Sequence, residues 1–128
     1  MSLVGLKVFV LEDEPLIAMA LEELLEDEGA HPAVAGSLEQ ADQMLAEDAF
    51  DAAILDINVH GRKSYEVARA LLARGVPFVF ASGYGDTLNP EEFAHIPTVT
   101  KPYNLAEIIR ALFPQATRAS AQAGIARV

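Results

Sequence analysis

Residues Asp51 to Asn58, DAAILDIN, carry the reading that decides the fold. Ala52, Ala53, Ile54 and Leu55 form a short apolar run with neither helical nor alternating period, which is how a strand covered on both faces reads. Asp56 closes the run. An unpaired charge is costly to bury, so this carboxylate is expected to project from the carboxyl end of its strand. In open parallel α/β sheets that edge is where ligands bind.

Working outward, Leu6 to Leu11 (LKVFVL) is a second β-rich run that breaks off at Glu12-Asp13-Glu14-Pro15. Pro15 suits the first turn of a helix, and Leu16, Ile17, Met19, Ala20, Leu21, Leu24 and Leu25 give an apolar stripe ending at Gly29. His31 to Gly36 reads as an edge strand, because Pro32 is tolerable only there or at a strand start. Ser37 can cap a helix carrying Leu38, Ala41, Met44 and Leu45.

Beyond DAAILDIN, Asn58 to Ser64 (NVHGRKS) reads as a polar turn, and a helix runs from Ser64 through Val67 to Leu72, stopping at Gly75. Pro77 to Ala81 is a fourth strand followed by the glycine-punctuated loop Ser82-Gly83-Tyr84-Gly85-Asp86. A short helix is expected near Asn89, after which Ile96 to Thr100 forms the last strand. Asn104 can cap a final helix with Leu105, Ile108, Ile109, Leu112 and Phe113 on its apolar side. Five strands alternating with five helices imply βαβ units, right-handed crossovers and a doubly wound parallel sheet of the α/β class. Residues 1–5 read as a lead, in part a cloning remnant, residues 6–114 as the domain, and residues 115–128 as a flexible tail.

Composition narrows the function. The chain has 128 residues, a net charge of −10 and 52% hydrophobic residues, which suits one domain with a real core. So acidic a chain argues against nucleic acid and anionic membrane surfaces as partners. Cysteine is absent, which excludes thiolate metal sites and suits a cytoplasmic location. No apolar run approaches the roughly 18 residues of a membrane span, and the amino end lacks the features of a secretory leader.

Four strand ends deliver reactive groups: Glu12 and Asp13, Asp56, Ser82, and Lys101. Parallel strands share one polarity, so all of these fall along one edge of the sheet. Three neighbouring carboxylates repel one another, and hard oxygen donors of that charge suit Mg²⁺. A phosphoryl group would complete the site, with metal and lysine neutralising its oxygens and Asp56, the central acid, as nucleophile. Each residue alone has a plainer reading. Glu12 and Asp13 could be an acidic helix N-terminus, Asp56 a loop cap, Ser82 a turn residue and Lys101 a solvated lysine before proline. His31, His60 and His95 read as loop histidines, not ligands.

The motifs LEDEP, LDIN, FASGYG and TKPY, in this order and spacing, resemble the receiver domain of bacterial two-component response regulators. The resemblance runs from about Leu6 to Phe113. It implies a flavodoxin-like sheet of order 2-1-3-4-5, with Asp56 accepting a phosphoryl group from a sensor histidine kinase or phosphotransfer protein. By the same resemblance Asp13 would bind Mg²⁺ directly, Glu12 through water and Asn58 by its backbone carbonyl. Lys101 would pair with the phosphoryl oxygens. Ser82 would swing toward the phosphoryl group and pass the change to a downstream protein partner. The implied chain is a stand-alone phosphoacceptor, a monomer or weak dimer, with at most self-phosphorylation and self-dephosphorylation chemistry. A phosphorylation-independent binding module of the same fold and an aspartyl-phosphate phosphohydrolase are the alternatives.

Three positions depart from the family pattern. Thr98 stands where a Tyr or Phe switch is usual, His60 where Pro is common, and Ser64 where Gly is common. The segment PFVFASGYG is close to a variant group with a Phe-Ala-Thr-Gly-x-Tyr motif, which makes Tyr84 the expected substitute in signalling.

Overall fold

A computed structural model describes residues 3–83 and 89–113. In chain order the elements are β1 (Lys7–Leu11), α1 (Pro15–Asp27), β2 (His31–Ala35), α2 (Leu38–Glu47), β3 (Ala52–Asp56), β4 (Asn58–Val59), β5 (Arg62–Lys63), α3 (Tyr65–Ala73), β6 (Phe78–Ser82), a 3₁₀ turn (Glu91–Phe93), β7 (Thr98–Thr100) and α4 (Leu105–Leu112). Five strands form one parallel sheet in the order β2-β1-β3-β6-β7. With the small β4-β5 pair set aside, this is the expected 2-1-3-4-5 order of a flavodoxin-like fold, and His31–Ala35 is indeed an edge strand.

The apolar runs lack alternation because both faces of the sheet are covered, and successive side chains feed two cores. Phe9, Leu11, Leu55, Phe78 and Phe80 face Ala41 and Leu45 of α2 and Val67 and Leu71 of α3. Val8, Val10, Ile54, Val79 and Ala81 face Leu21 and Leu25 of α1 and Ile108 and Leu112 of α4. Helix ends follow their sequence signals. The Ser37 hydroxyl accepts from the Gln40 N–H at 3.1 Å, and the Asn104 side chain accepts from the Glu107 N–H at 3.1 Å. Gly29 (φ 84°) ends α1 in a left-handed turn, with the Ala30 N–H donating to the Leu25 carbonyl at 3.0 Å.

Two expectations are corrected. The segment NVHGRKS is not a simple polar turn. Asn58 pairs with Lys63 and Val59 with Arg62 in a two-stranded antiparallel hairpin, and His60 (φ 51°) and Gly61 (φ 79°) supply the left-handed pair that a two-residue loop demands. The helix expected near Asn89 is, among the described residues, a single 3₁₀ turn: Pro90 holds φ at −53° with an extended ψ of 151°, and only Glu91–Phe93 follows before the chain turns toward β7. Four α-helices are thus seen among the described residues. The tail at 115–128 lies outside them.

Phe80 contacts the rings of Tyr65, Phe78 and Phe93 at centroid separations of 6.0, 5.6 and 5.5 Å. Phe80→Ala is expected to lower stability by about 3–5 kcal/mol, read as a fall in the urea midpoint without a change in the chemistry of the sheet edge.

Candidate functional site

The carboxyl edge of the sheet brings Glu12, Asp13, Asp56, Ser82 and Lys101 together, as the shared strand polarity requires. Asp13, Asp56, Asn58, Ser82 and Lys101 line one cavity of about 450 Å³. Glu12 sits beneath it, 1% exposed, and Asp56 is 7% exposed at the last position of β3. One carboxylate oxygen from each of Glu12, Asp13 and Asp56 lies within 4.8 Å of the others. That donor set, three hard anionic oxygens of which those of Asp13 and Asp56 line the cavity, fits a divalent cation such as Mg²⁺.

Lys101 follows β7, where its N–H donates to the Ser82 carbonyl at 2.9 Å and so ties the last strand to β6. Its Nζ lies 2.6 Å from Glu12 Oε1 and 3.3 Å from Asp56 Oδ2. The peptide bond between Lys101 and Pro102 is cis. Burial pulls the Lys101 ammonium down, but the Glu12 hydrogen bond and the Asp56 charge outweigh it and hold the lysine above its usual value. Burial, followed by the charge on Glu12, pushes Asp56 up to about 7 against the opposing pull of Lys101. For Asp13 burial acts upward too, yet the His60 N–H and the hydrogen bonding within the acidic cluster prevail, so this carboxyl sits below its ordinary value.

Three contributors, Ser64, His60 and Tyr103, were not legible as site residues, nor was a Tyr65–Asn89 contact beyond the cluster. Ser64, fully buried at the N-cap position of α3, makes no side-chain cap bond; its hydroxyl donates to the Asp56 carbonyl at 2.6 Å, and its N–H donates to the Ile57 carbonyl at 2.9 Å. A hydroxyl thus braces the backbone of Asp56 itself. The His60 N–H donates to Asp13 Oδ2 at 2.8 Å while its ring Nε2 reaches the Gly36 carbonyl at 3.0 Å, clamping the hairpin against the β2-α2 loop. The Tyr103 hydroxyl donates to Glu12 Oε1 at 3.3 Å, and burial together with the Glu12 charge raises that phenol far above its ordinary value. The Tyr65 hydroxyl donates to Asn89 Oδ1 at 3.1 Å, and Asn89 Nδ2 donates to Thr98 Oγ1 at 3.4 Å. Only the fixed motif spacing could have pointed to Ser64 and Tyr103, and nothing in the sequence pointed to the Tyr65–Asn89 pair.

Asn58 is exposed at the start of the hairpin, next to the cavity. Thr98, also exposed, lies opposite Phe80 in the register, two residues before the strand end that reaches the site. It is therefore apart from the acidic cluster. Tyr84 lies outside the described residues.

The model of the response regulator receiver domain matches residues 8–113. The chain belongs to the response regulator receiver family. It is 31% identical over 133 residues to the transcriptional regulatory protein AruR of Pseudomonas aeruginosa, covering 94% of this chain and 54% of that protein. The chain thus spans about half the length of this relative. Among solved structures, SdrG from Sphingomonas melonis Fr1 is 39% identical with a TM-score of 0.75, covering 88% of this chain and 99% of SdrG. The receiver domain of a sensor histidine kinase from Pseudomonas aeruginosa PAO1, with magnesium coordinated in its active-site cleft, shares the fold at 23% identity and a TM-score of 0.72, covering 87% and 97%. No helix among the described residues is long and apolar enough to cross a membrane.

The raised Asp56 value carries a signed consequence for the metal-free protein. Asp56 goes from 3.8 in the unfolded chain to about 7 when folded, so its contribution to stability is fully present below about pH 4 and is lost as pH rises toward 7. Asp56→Asn removes the charge altogether. In metal-free buffer its melting temperature is expected to exceed the wild type's by several degrees at pH 8 and to match it closely near pH 4, as measured by calorimetry.

Proposed function

We propose that this chain is a phosphoacceptor of two-component signalling, taking a phosphoryl group on Asp56 from the phosphohistidine of a kinase or phosphotransfer protein. The observation that carries this reading is the shared ammonium: Lys101 lies within 3.3 Å of Asp56 and 2.6 Å of Glu12, beside a cavity roomy enough for a phosphoryl group. An Asp56 carboxylate oxygen attacks phosphorus in line; the new P–O bond forms as the P–N bond breaks, and the imidazole leaves with the electron pair and takes up a proton. Mg²⁺, when bound, neutralises the cluster and the incoming phosphoryl oxygens. Glu12, Asp13, Asp56 and the Asn58 carbonyl would hold it. Lys101 holds the phosphoryl oxygens, Ser82 supplies a hydroxyl from the adjoining strand, and Ser64 keeps the Asp56 backbone still while its side chain reacts.

An apolar groove of about 550 Å³ adjoins this pocket, lined by Leu16, Ile17, Ala20 and Leu24 of α1 and by Pro102 and Tyr103. Leu16 is 79% exposed there, which suits docking of a helix that carries the donor histidine. The protein is then a signalling intermediate that works in the cytoplasm through altered protein contacts, not an enzyme turning over a diffusible substrate. Incubated with Mg²⁺ and acetyl phosphate, the wild type is expected to gain the mass of one phosphoryl group. Asp56→Asn is expected to gain none, as is the wild type with excess chelator; incorporation by Asp56→Asn would refute the assignment.

A further inference from the structure

We propose that Tyr103 is a positioning residue whose hydroxyl takes over the Glu12 carboxylate when Lys101 turns from it to the phosphoryl group. The inference rests on the phosphoacceptor reading above. Glu12 Oε1 has two donors, Lys101 Nζ at 2.6 Å and the Tyr103 hydroxyl at 3.3 Å, while Oε2 accepts the Glu14 N–H at 3.1 Å. The same ammonium is 3.3 Å from Asp56 Oδ2, so one cation serves both the acid it now pairs with and the acid that reacts.

A phosphoryl group on Asp56 adds anionic oxygens beside Lys101 and competes for it. Glu12, at 1% exposure, cannot turn to bulk water when its cation moves. A buried carboxylate oxygen is costly to leave short of donors when its cation moves away, so a second donor already in place on that oxygen lowers the cost of the move. Tyr103 meets that need on the very oxygen that Lys101 gives up. Its ring packs against the α1/α4 core, and Pro102, with its restricted φ, precedes it, so the hydroxyl is held at the site instead of being recruited.

Phenylalanine keeps the ring and removes only the donor. The test titrates the full chain, wild type and Tyr103→Phe, with Mg²⁺ alone and then with beryllofluoride at saturating Mg²⁺, both followed by calorimetry. Tyr103→Phe is expected to bind Mg²⁺ within about twofold of wild type and beryllofluoride about tenfold more weakly, the scale of one hydrogen bond to a charged group. In a Glu12→Gln background, where no charge remains at position 12, the same substitution is expected to cause no further loss of beryllofluoride binding. Unaltered beryllofluoride binding by Tyr103→Phe overturns the inference alone, as does an equal loss in both titrations or an equal loss in the Glu12→Gln background. A wild type that binds no beryllofluoride overturns the phosphoacceptor reading together with it.

Discussion

One ammonium shared by two buried carboxylates is the constraint on which this molecule depends. Lys101 reaches Glu12 and Asp56 at once, and both acids are nearly closed to solvent. Without it the cluster would carry uncompensated charge in a poorly hydrated place. With it, one positive charge faces the carboxylates of Glu12, Asp13 and Asp56, and Asp56 is left close to the point of taking up a proton. The resting site is therefore short of positive charge, and it presents that deficit to solvent through one opening.

The sheet makes this arrangement inexpensive to hold. Both faces of β1, β3 and β6 are packed, so the strand ends are fixed by cores that have no part in the chemistry. Register does the rest. Leu11 lies opposite Leu55, and Asp56 opposite Ala81, so the acids that follow β1 and close β3 arrive at one level. The loops then need only small braces: the His60 N–H on Asp13, the Ser64 hydroxyl on the Asp56 carbonyl and the Lys101 N–H on the Ser82 carbonyl.

Strand ends and their acids were legible because hydrophobic runs mark buried strands, and a charge that closes such a run has one place to go. The Asn58–Lys63 hairpin was hidden, since His60 in a left-handed conformation is unusual and its cue, Gly61, reads equally well as a plain turn. Ser64 read only as the start of a helix because a hydroxyl can accept from a backbone amide as a cap or donate to a carbonyl, and only the fold brings the Asp56 carbonyl within its reach. The 3₁₀ turn at Glu91–Phe93 replaced an expected helix because Pro90 precedes it and little chain remains before β7.

At Thr98 the departure from the family pattern has a mechanical meaning. A large ring at this strand position changes the outline of the protein when it turns in or out. Threonine sweeps almost no volume whichever rotamer it takes, and here its oxygen ends a line of polar contacts running through Asn89 to Tyr65, next in sequence to Ser64. Along this edge it is hydrogen bonds, not bulk, that can be made or loosened, and they can be so while the contour stays the same.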